Sequence, residues 1–227
     1  MYTGDTVVIA TGAKARTIPG IELGDRIVTK HQALQMNHGP KRAIILGGGV
    51  IGLEFARIWA SLGAQVTVIE ALPRFAAAEN PWCSALAERA FRERDITIRT
   101  GASLVSAVET DDRVVAILDD GNELDADVLL VAVGRVPRTE GLGLEENGIE
   151  FSDGFLVTDE DLQTSVPGVY AAGDVVFSWR IVDSNRAGSS PSIWPDENLA
   201  ASRLKDSASD ILQPGDRVCW PQRGCDS

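Results

Sequence analysis

The sequence predicts an α/β fold built around a mostly parallel sheet. Short apolar runs alternate with segments of helical periodicity, and strands that alternate with helices favour parallel pairing. A glycine-rich turn between one apolar run and a helix is a second indication. With 227 residues, 44% of them hydrophobic, the chain has the material for one large domain or for one and a half ordinary ones.

The first elements precede the glycine-rich turn. The apolar run at 6–12 predicts a buried strand that ends in a turn. Residues 26–36 fit a short strand followed by a helix, with Thr29 as a candidate N-cap. Gly39 and Pro40 then break the chain.

A strand precedes the glycine-rich turn, and a helix and a second strand follow it. They are predicted at 42–46, 50–62 and 65–70, and Gly63 is the predicted stop of the helix. Helical spacing places four apolar residues on one face of this helix, namely Ile51, Phe55, Ile58 and Leu62.

The remaining elements follow the same alternation as far as residue 176. A helix is predicted at 81–94, where a proline precedes a segment rich in Ala, Glu and Arg. Further strands are predicted at 96–99, 103–109, 113–118, 127–134 and 168–175. The sequence Asp-Asp-Gly directly after 113–118 is typical of a hairpin turn.

The glycine-rich turn has the pattern G-x-G-x-x-G, formed by Gly47, Gly49 and Gly52, with Gly48 between the first two. In this pattern the first glycine permits the turn off the strand, the second lets a pyrophosphate approach the backbone, and the third lets the helix pack closely. The helix that begins near Val50 and Ile51 would direct its free N–H groups at the phosphates. The alternative is a tight structural turn, but a strand before and a helix after favour a dinucleotide site.

Glu70 ends the strand that follows this helix. A carboxylate there can accept hydrogen bonds from the adenosine ribose hydroxyls and repels a 2′-phosphate, which predicts NAD(H) rather than NADP(H). Arg74 is the contrary indication, because its side chain could turn back toward a phosphate.

Charge and composition exclude several other classes of function. A net charge of −12, from 21 basic and 33 acidic residues, argues against a nucleic-acid partner. No apolar run reaches the roughly 20 residues of a membrane helix and no secretory signal is evident, so we expect no membrane partner and a cytoplasmic location. His31, His38, Cys83, Cys219 and Cys225 lack metal-like spacing, and we expect neither a metal site nor a disulfide framework.

Four motifs between residues 5 and 176 carry a resemblance to a known family. They are VVIATGAKARTIPG, GGGVIGLEFA with VTVIEALPRF, VAVGRVPRTEGLGLEENGI, and LQTSVPGVYAAGDVV. In this order and spacing the chain resembles the FAD-dependent pyridine nucleotide–disulfide oxidoreductases, and most of all their dihydrolipoamide dehydrogenase branch. The resemblance implies a Rossmann-like NAD domain and an incomplete second Rossmann-like domain for FAD.

The resemblance implies roles for residues outside the glycine turn. Thr11, Gly12 and Ala13 would lie against FAD, and Asp174, at the end of a buried strand, would accept a hydrogen bond from a ribityl hydroxyl. An ordinary strand end is the alternative for the first three.

On the NAD side, Gly134 would approach the nicotinamide, where a side chain would collide. Glu54 matches a glutamate that pairs with a lysine near the flavin, although a solvated helix carboxylate is equally consistent. Val50 stands where some relatives carry an aromatic gate.

The resemblance also divides the chain. Residues 1–38 would be a remnant of the FAD domain, 39–134 the NAD domain, 135–176 the return segment of the FAD domain, and 177–227 a divergent, poorly structured tail. The redox cysteine pair and the C-terminal interface domain of the family, with its homodimer contacts, are not matched, and Cys219 and Cys225 have the wrong spacing for that pair. We therefore expect a truncated fragment that contains no catalytic residues of its own.

Two classes of function remain open at this stage. The first is a flavoprotein that transfers hydride between NAD(H) and FAD, coupled to a dithiol, disulfide or lipoyl substrate. Mercuric reductase, glutathione reductase-like enzymes and flavin transhydrogenase share the same motifs. The second class is a non-catalytic NAD(H)-binding module.

Overall fold

The computed structural model describes residue 4 and residues 6–176, and the tail predicted at 177–227 lies outside the described residues. The helices of the described part are α1 (Lys30–Ala33), α2 (Val50–Ser61) and α3 (Pro81–Arg92). The strands, in chain order, are β1 (Val7–Ile9), β2 (Ala13–Ala15), β3 (Ile27–Val28), β4 (Arg42–Leu46), β5 (Gln65–Glu70), β6 (Thr97–Thr100), β7 (Leu104–Glu109), β8 (Val114–Leu118), β9 (Glu123–Ala126), β10 (Val128–Val131), β11 (Arg135–Pro137), β12 (Phe151–Ser152), β13 (Phe155–Leu156) and β14 (Val169–Ala171).

A five-stranded sheet organises the described chain. Its order is β3-β10-β4-β5-β6, and every neighbouring pair is parallel. This confirms the predicted α/β fold with a mostly parallel sheet. Helix α2 connects β4 to β5 and α3 connects β5 to β6, as parallel neighbours require a crossover. Leu46 pairs with both Val131 and Ile69, so β10, β4 and β5 end at the same level.

Both faces of this sheet are covered, which explains why its central strands are continuous apolar runs. On one face, Ile45 and Val68 pack in a cluster with Phe55 and Trp59 of α2 and with Phe91 of α3.

The opposite face of the sheet packs against an antiparallel meander of β7, β8 and β9. Ile44, Ile69 and Leu129 join Val114 and Leu118 of β8 in that second cluster. The predicted hairpin is confirmed, since β8 turns into β9 through Gly121, which has a φ of 80°.

Helix α2 lies where it was predicted, but its buried face is different. The buried residues are Gly52, Phe55, Ala56 and Trp59. Ile58 and Leu62 stay 47% and 68% exposed. The third glycine explains the rotation, because a Cβ on Gly52 would lie only 2.0 Å from the carbonyl oxygen of Gly47. The helix must turn Gly52 toward the strand, and this side of the helix becomes the packed one.

The predicted start of α1 and the predicted end of α2 are both confirmed. Thr29 precedes α1, and its backbone N–H donates to Oε1 of Gln32 at 2.9 Å. Gly63 follows α2 with a φ of 89°, in the left-handed region that ends many helices.

Two small sheets join the beginning of the chain to its last described part. Strand β1 pairs in parallel with β14, and β2 pairs antiparallel with β11. The strand predicted at 6–12 exists, but its burial was overestimated. Val7 and Val8 are 48% and 59% exposed and only Ile9 is buried, because β1 belongs to a two-stranded sheet. Strand β3, within the predicted segment 1–38, instead pairs with β10 in the five-stranded sheet.

Candidate nucleotide-binding site

A cleft of about 540 Å³ lies at the carboxyl edge of the parallel sheet. Six of the residues predicted for the NAD site line it, namely Gly47, Gly49, Val50, Ile51, Glu70 and Gly134. A ligand site outside the carboxyl ends of the strands is the general rule for open α/β sheets. The cleft thus brings Gly47 together with Gly134, which lies 87 positions later in the chain.

The three motif glycines differ in what surrounds them. A Cβ on Gly47, whose φ is 106°, would lie 2.4 Å from the carbonyl oxygen of Ala132, and Gly52 is closed off by the Gly47 carbonyl. In contrast, a Cβ on Gly49 would meet no protein atom within 4 Å. The first and third glycines are therefore required by the fold itself, whereas the second faces open space in the cleft.

Helix α2 begins at this loop with Gly49 as its N-cap. Gly49 has no side chain to accept a hydrogen bond, and the first turn of α2 contains no acidic residue. The first N–H groups of a helix have no intrahelical partner and lie at the positive end of its dipole. This end of α2 is therefore suited to an anion. Val50 stays 54% exposed beside it, and Ile51 is half-buried.

Glu70 points at the glycine loop. Its Oε2 accepts the N–H of Gly48 at 2.7 Å, and its Oε1 accepts the N–H of Leu72 at 2.8 Å. A carboxylate has about four lone-pair sites, so two remain for other donors. These bonds fix a half-buried negative charge at the mouth of the cleft. Arg74, the contrary indication, donates to the carbonyl of Ala77.

Two further predicted residues have less specific surroundings. Gly134 has a φ of 117°, and a Cβ there would meet nothing within 4 Å. Its left-handed conformation therefore favours glycine independently of any ligand. Glu54, one turn into α2, is exposed.

The four predicted flavin residues are brought together by the two small sheets. The hydroxyl of Thr11 donates to the carbonyl of Arg138 at 2.6 Å, and the Arg138 N–H donates to the carbonyl of Gly12 at 2.9 Å. Arg135 donates to the carbonyl of Ala13 at 3.1 Å and forms an ion pair with Asp174.

The structure corrects one premise at Asp174. Its side chain is 57% exposed rather than buried, and Arg135 supplies the partner that the sequence analysis sought in a flavin hydroxyl. The apolar run before Asp174 suggested burial, but β14 pairs with β1 in a sheet of only two strands.

Several residues of this region were not predicted from the sequence. Arg135 directly follows Gly134, and its place in the same motif was the available signal. Ala77, Ala78 and Ser103 also line the cleft. Ser103 lies just after β6, and the adjacency of β5 and β6 would have indicated it.

Other chemistries find no support in the part of the chain that the structure describes. Within residue 4 and residues 6–176, no group of three or more His, Cys, Asp or Glu side chains is placed to hold a metal ion. Over the same residues, no helix has the length and apolar character that a bilayer crossing requires. Cys83 is an exposed free thiol near the start of α3.

Comparison with known proteins identifies the family. A family model described as pyridine nucleotide-disulphide oxidoreductase matches residues 1–194. The chain belongs to this family. Its relatives include a dihydrolipoyl dehydrogenase of Chlorobaculum parvum, 42% identical over 174 residues, which covers 74% of this chain and 37% of that protein. A dihydrolipoamide dehydrogenase of Chaetomium thermophilum is 35% identical, with 77% of this chain and 36% of that protein covered.

Solved structures give the same assignment to this member of the family. LpdA from Mycobacterium tuberculosis superposes with a TM-score of 0.70 at 33% identity, over 76% of this chain and 38% of that one. A NAD-dependent persulfide reductase from A. fulgidus superposes with a TM-score of 0.67 at 34% identity, over 76% and 33% of the two chains. The chain thus spans less than two fifths of the length of these relatives.

Proposed function

We propose that this chain binds NAD(H) through residues 39–134 and is the nucleotide-binding part of a flavin-dependent disulfide oxidoreductase of the dihydrolipoyl dehydrogenase type. The observation that carries the proposal is the pairing of an open Gly49 with a Glu70 carboxylate aimed at the same loop. Each feature alone is compatible with an ordinary turn. Together they provide an anion site and an acceptor for hydroxyl groups at the same opening of the cleft.

Each residue of the loop has a separate task in this proposal. The N–H groups at the start of α2 bind the diphosphate, and Gly49 leaves the space that it occupies. The remaining lone pairs of Glu70 accept hydrogen bonds from the adenosine ribose hydroxyls. A 2′-phosphate at the same place would bring like charges together, so we expect NAD(H) to be preferred over NADP(H).

The flavin part of the proposal depends on Asp174 and Gly12, which lie next to the β1–β14 and β2–β11 sheets. Only Oδ2 of Asp174 is engaged by Arg135, and Oδ1 has no hydrogen bond to the described residues, so it can accept one from a ribityl hydroxyl. Gly12, with a φ of 70° and no atom within 4 Å of a Cβ placed on it, leaves backbone accessible between Thr11 and Ala13. These residues therefore fit one section of a bound FAD.

When bound, the two cofactors supply hydride exchange and electron transfer to a dithiol or disulfide, with the protein fixing their orientation. The names of the relatives point to a lipoyl or related disulfide substrate for the whole protein. The residues of this chain contribute nucleotide binding and discrimination.

Replacing Glu70 with alanine tests the proposal. The loss of charged hydrogen bonds to ribose should cost about 1.5–3 kcal/mol of NADH binding, or about 10- to 150-fold in Kd. Calorimetric titration of the full chain measures this. Glu88→Ala is the matched control, because it removes the same charge from α3, where Glu88 pairs with Arg92 away from the cleft. Unchanged NADH affinity in Glu70→Ala would reject the role of Glu70.

A non-catalytic NAD(H)-binding module is the second candidate. It is favoured by the contrast between the two sites, since the cleft has an open Gly49 at the edge of the five-stranded sheet while Asp174 is already paired with an arginine. A colourless preparation that still binds NADH would support the module. A yellow preparation with NADH-dependent turnover of a dithiol or dye would support the enzyme.

A further inference from the structure

Gly48, the middle one of the three consecutive glycines, is held on both sides by residues at the end of β5 and just after it. The N–H of Gly48 donates to Glu70, and its carbonyl accepts the N–H of Ala76 at 3.0 Å. The fully buried ring of Phe75 closes the space beside it, since a Cβ on Gly48 would lie 3.1 Å from Phe75 Cδ2. The peptide groups on either side of Gly48 are thus fixed in orientation.

The three consecutive glycines explain why the loop needs these hydrogen bonds from other residues. Gly47, Gly48 and Gly49 are consecutive, and glycine has the most backbone freedom of any residue. None of the three has a side chain that can pack, so the conformation of the loop must be imposed by hydrogen bonds. If the loop is ordered before the nucleotide arrives, less entropy is lost on binding.

Ala76 is held in a conformation that requires support of its own. It is buried and has a φ of 48°, in the left-handed region that residues with a Cβ rarely adopt. Its carbonyl accepts the hydroxyl of Ser84 at 2.9 Å and the N–H of Glu79 at 2.9 Å. Ser84 is only 1% exposed and lies near the start of α3, which is capped by Asn80. A buried hydroxyl on α3 therefore holds the carbonyl of the residue whose N–H supports the loop.

We propose that Ser84 and Ala76 are positioning residues for the nucleotide site. Ser84 fixes Ala76, Ala76 fixes the Gly48 carbonyl, and the following N–H groups of Gly49 and Val50 are thereby aimed into the cleft. The inference rests on the proposed NAD(H) site and adds to it a dependence on α3, a helix that contributes no residue to the lining of the cleft.

The test compares two ligands on the full chain. NADH carries the diphosphate, whereas adenosine carries only the groups expected to contact Glu70, whose Oε1 accepts a bond from Leu72 that involves neither Ser84 nor Ala76. Ser84→Ala should raise the Kd of NADH by about 3- to 10-fold, the effect of one lost hydrogen bond. The Kd of adenosine, from ligand-observed NMR, should stay within twofold.

A matched variant separates positioning from general destabilisation. Ile98→Val removes one buried methylene from β6, outside the cleft lining, and should lower Tm to an extent similar to Ser84→Ala. It should leave both dissociation constants unchanged. Equal weakening of NADH by the two variants, or equal loss of NADH and adenosine in Ser84→Ala, would overturn the inference.

Ala76 provides an independent pair of variants. Proline cannot donate a hydrogen bond or reach a φ of 48°, so Ala76→Pro should weaken NADH at least tenfold. Glycine keeps the donor and adopts this φ readily, so Ala76→Gly should bind NADH within twofold of wild type. If Ala76→Pro does not fold, Ser84→Ala decides. Failure of the wild-type chain to bind NADH would overturn the proposed function and this inference together, while normal NADH binding by Ser84→Ala would overturn only the inference.

Discussion

Replacing Gly52 with alanine would test the contact that places α2 on the sheet. The new Cβ would lie 2.0 Å from the Gly47 carbonyl oxygen and 3.1 Å from its carbonyl carbon. Ordinary contacts between heavy atoms need about 3.5 Å, so the helix and the loop must separate by roughly 1 Å or more. Both partners are backbone, and neither can rotate away as a side chain would.

The magnitude follows from two opposing effects. Overpacking of this kind costs about 1–3 kcal/mol, and we take the upper end because the obstacle is rigid. Alanine in place of glycine inside a helix returns about 1 kcal/mol. Gly52→Ala should therefore lower the free energy of unfolding by about 2 kcal/mol, measured as a shift of the urea midpoint at constant slope.

Gly49→Ala is the informative counterpart. Gly49 has a φ of −82° and a ψ of −179°, which alanine adopts freely, and its Cβ would touch no protein atom. Its free energy of unfolding should remain within about 0.5 kcal/mol of wild type. NADH affinity should nevertheless fall at least tenfold, because the methyl group occupies the space reserved for the diphosphate.

The two variants give results that can refute the reasoning separately. A Gly52→Ala protein as stable as wild type would show that the close contact with Gly47 does not determine the packing of α2. A Gly49→Ala protein that binds NADH normally would show that the diphosphate does not lie against Gly49.

The remaining predictions concern two carboxylates away from the glycine loop. Burial raises the pKa of Asp127, but hydrogen bonds from the N–H groups of Arg42 and Lys41 outweigh it and leave the pKa below its usual value. The stability from this group is therefore complete above about pH 4, its unfolded pKa, and is lost as the pH falls further; Asp127→Asn should flatten that acid dependence in urea unfolding experiments, and an unchanged slope would contradict the assignment. For the ion pair of Arg135 with Asp174, which are 31% and 57% exposed, a double-mutant cycle to alanine should give a coupling of about 0.2–1 kcal/mol. A coupling of zero would mean that the pair does not join the two small sheets.

Sequence patterns predicted the strands of the five-stranded sheet and the helices between them, because in α/β proteins these elements have local sequence signals. The short strands β2, β11, β12 and β13 were not predicted. Strand β10 is buried on both faces and reads as a continuous apolar run, and α2 follows helical spacing. The rotation of α2 escaped prediction since it depends on the contact of Gly52 with Gly47, which hydrophobicity does not encode. Ile58 and Leu62 match the period and still face outward.

The candidate site shows the same division between local and distant causes. The glycine pattern and Glu70 were predicted because the spacing of these residues in the sequence corresponds to one particular arrangement of strand, turn and helix. The left-handed Ala76 could not be found, because its conformation is imposed by Gly48 and Ser84, which lie 28 residues before it and 8 after it. Asp174 was assigned a buried environment from its apolar neighbours, but the strand before it lies in a sheet of two strands and its arginine partner comes from 39 residues earlier.

The topology gives a reason why one chain segment serves both proposed cofactor sites. Strand β4 has β5 on one side and β10 on the other, so a nucleotide bound as proposed would extend from Glu70 across the glycine loop toward the end of β10 and Gly134. The next residue, Arg135, already contacts Ala13 and Asp174. Gly134, at the far end of the cleft, is therefore joined directly to the residue whose side chain contacts two of the predicted flavin residues, with Cα atoms about 3.8 Å apart. An enzyme that passes hydride between two cofactors needs their reacting ends in contact, and under the proposed function this connection would keep the two sites adjacent.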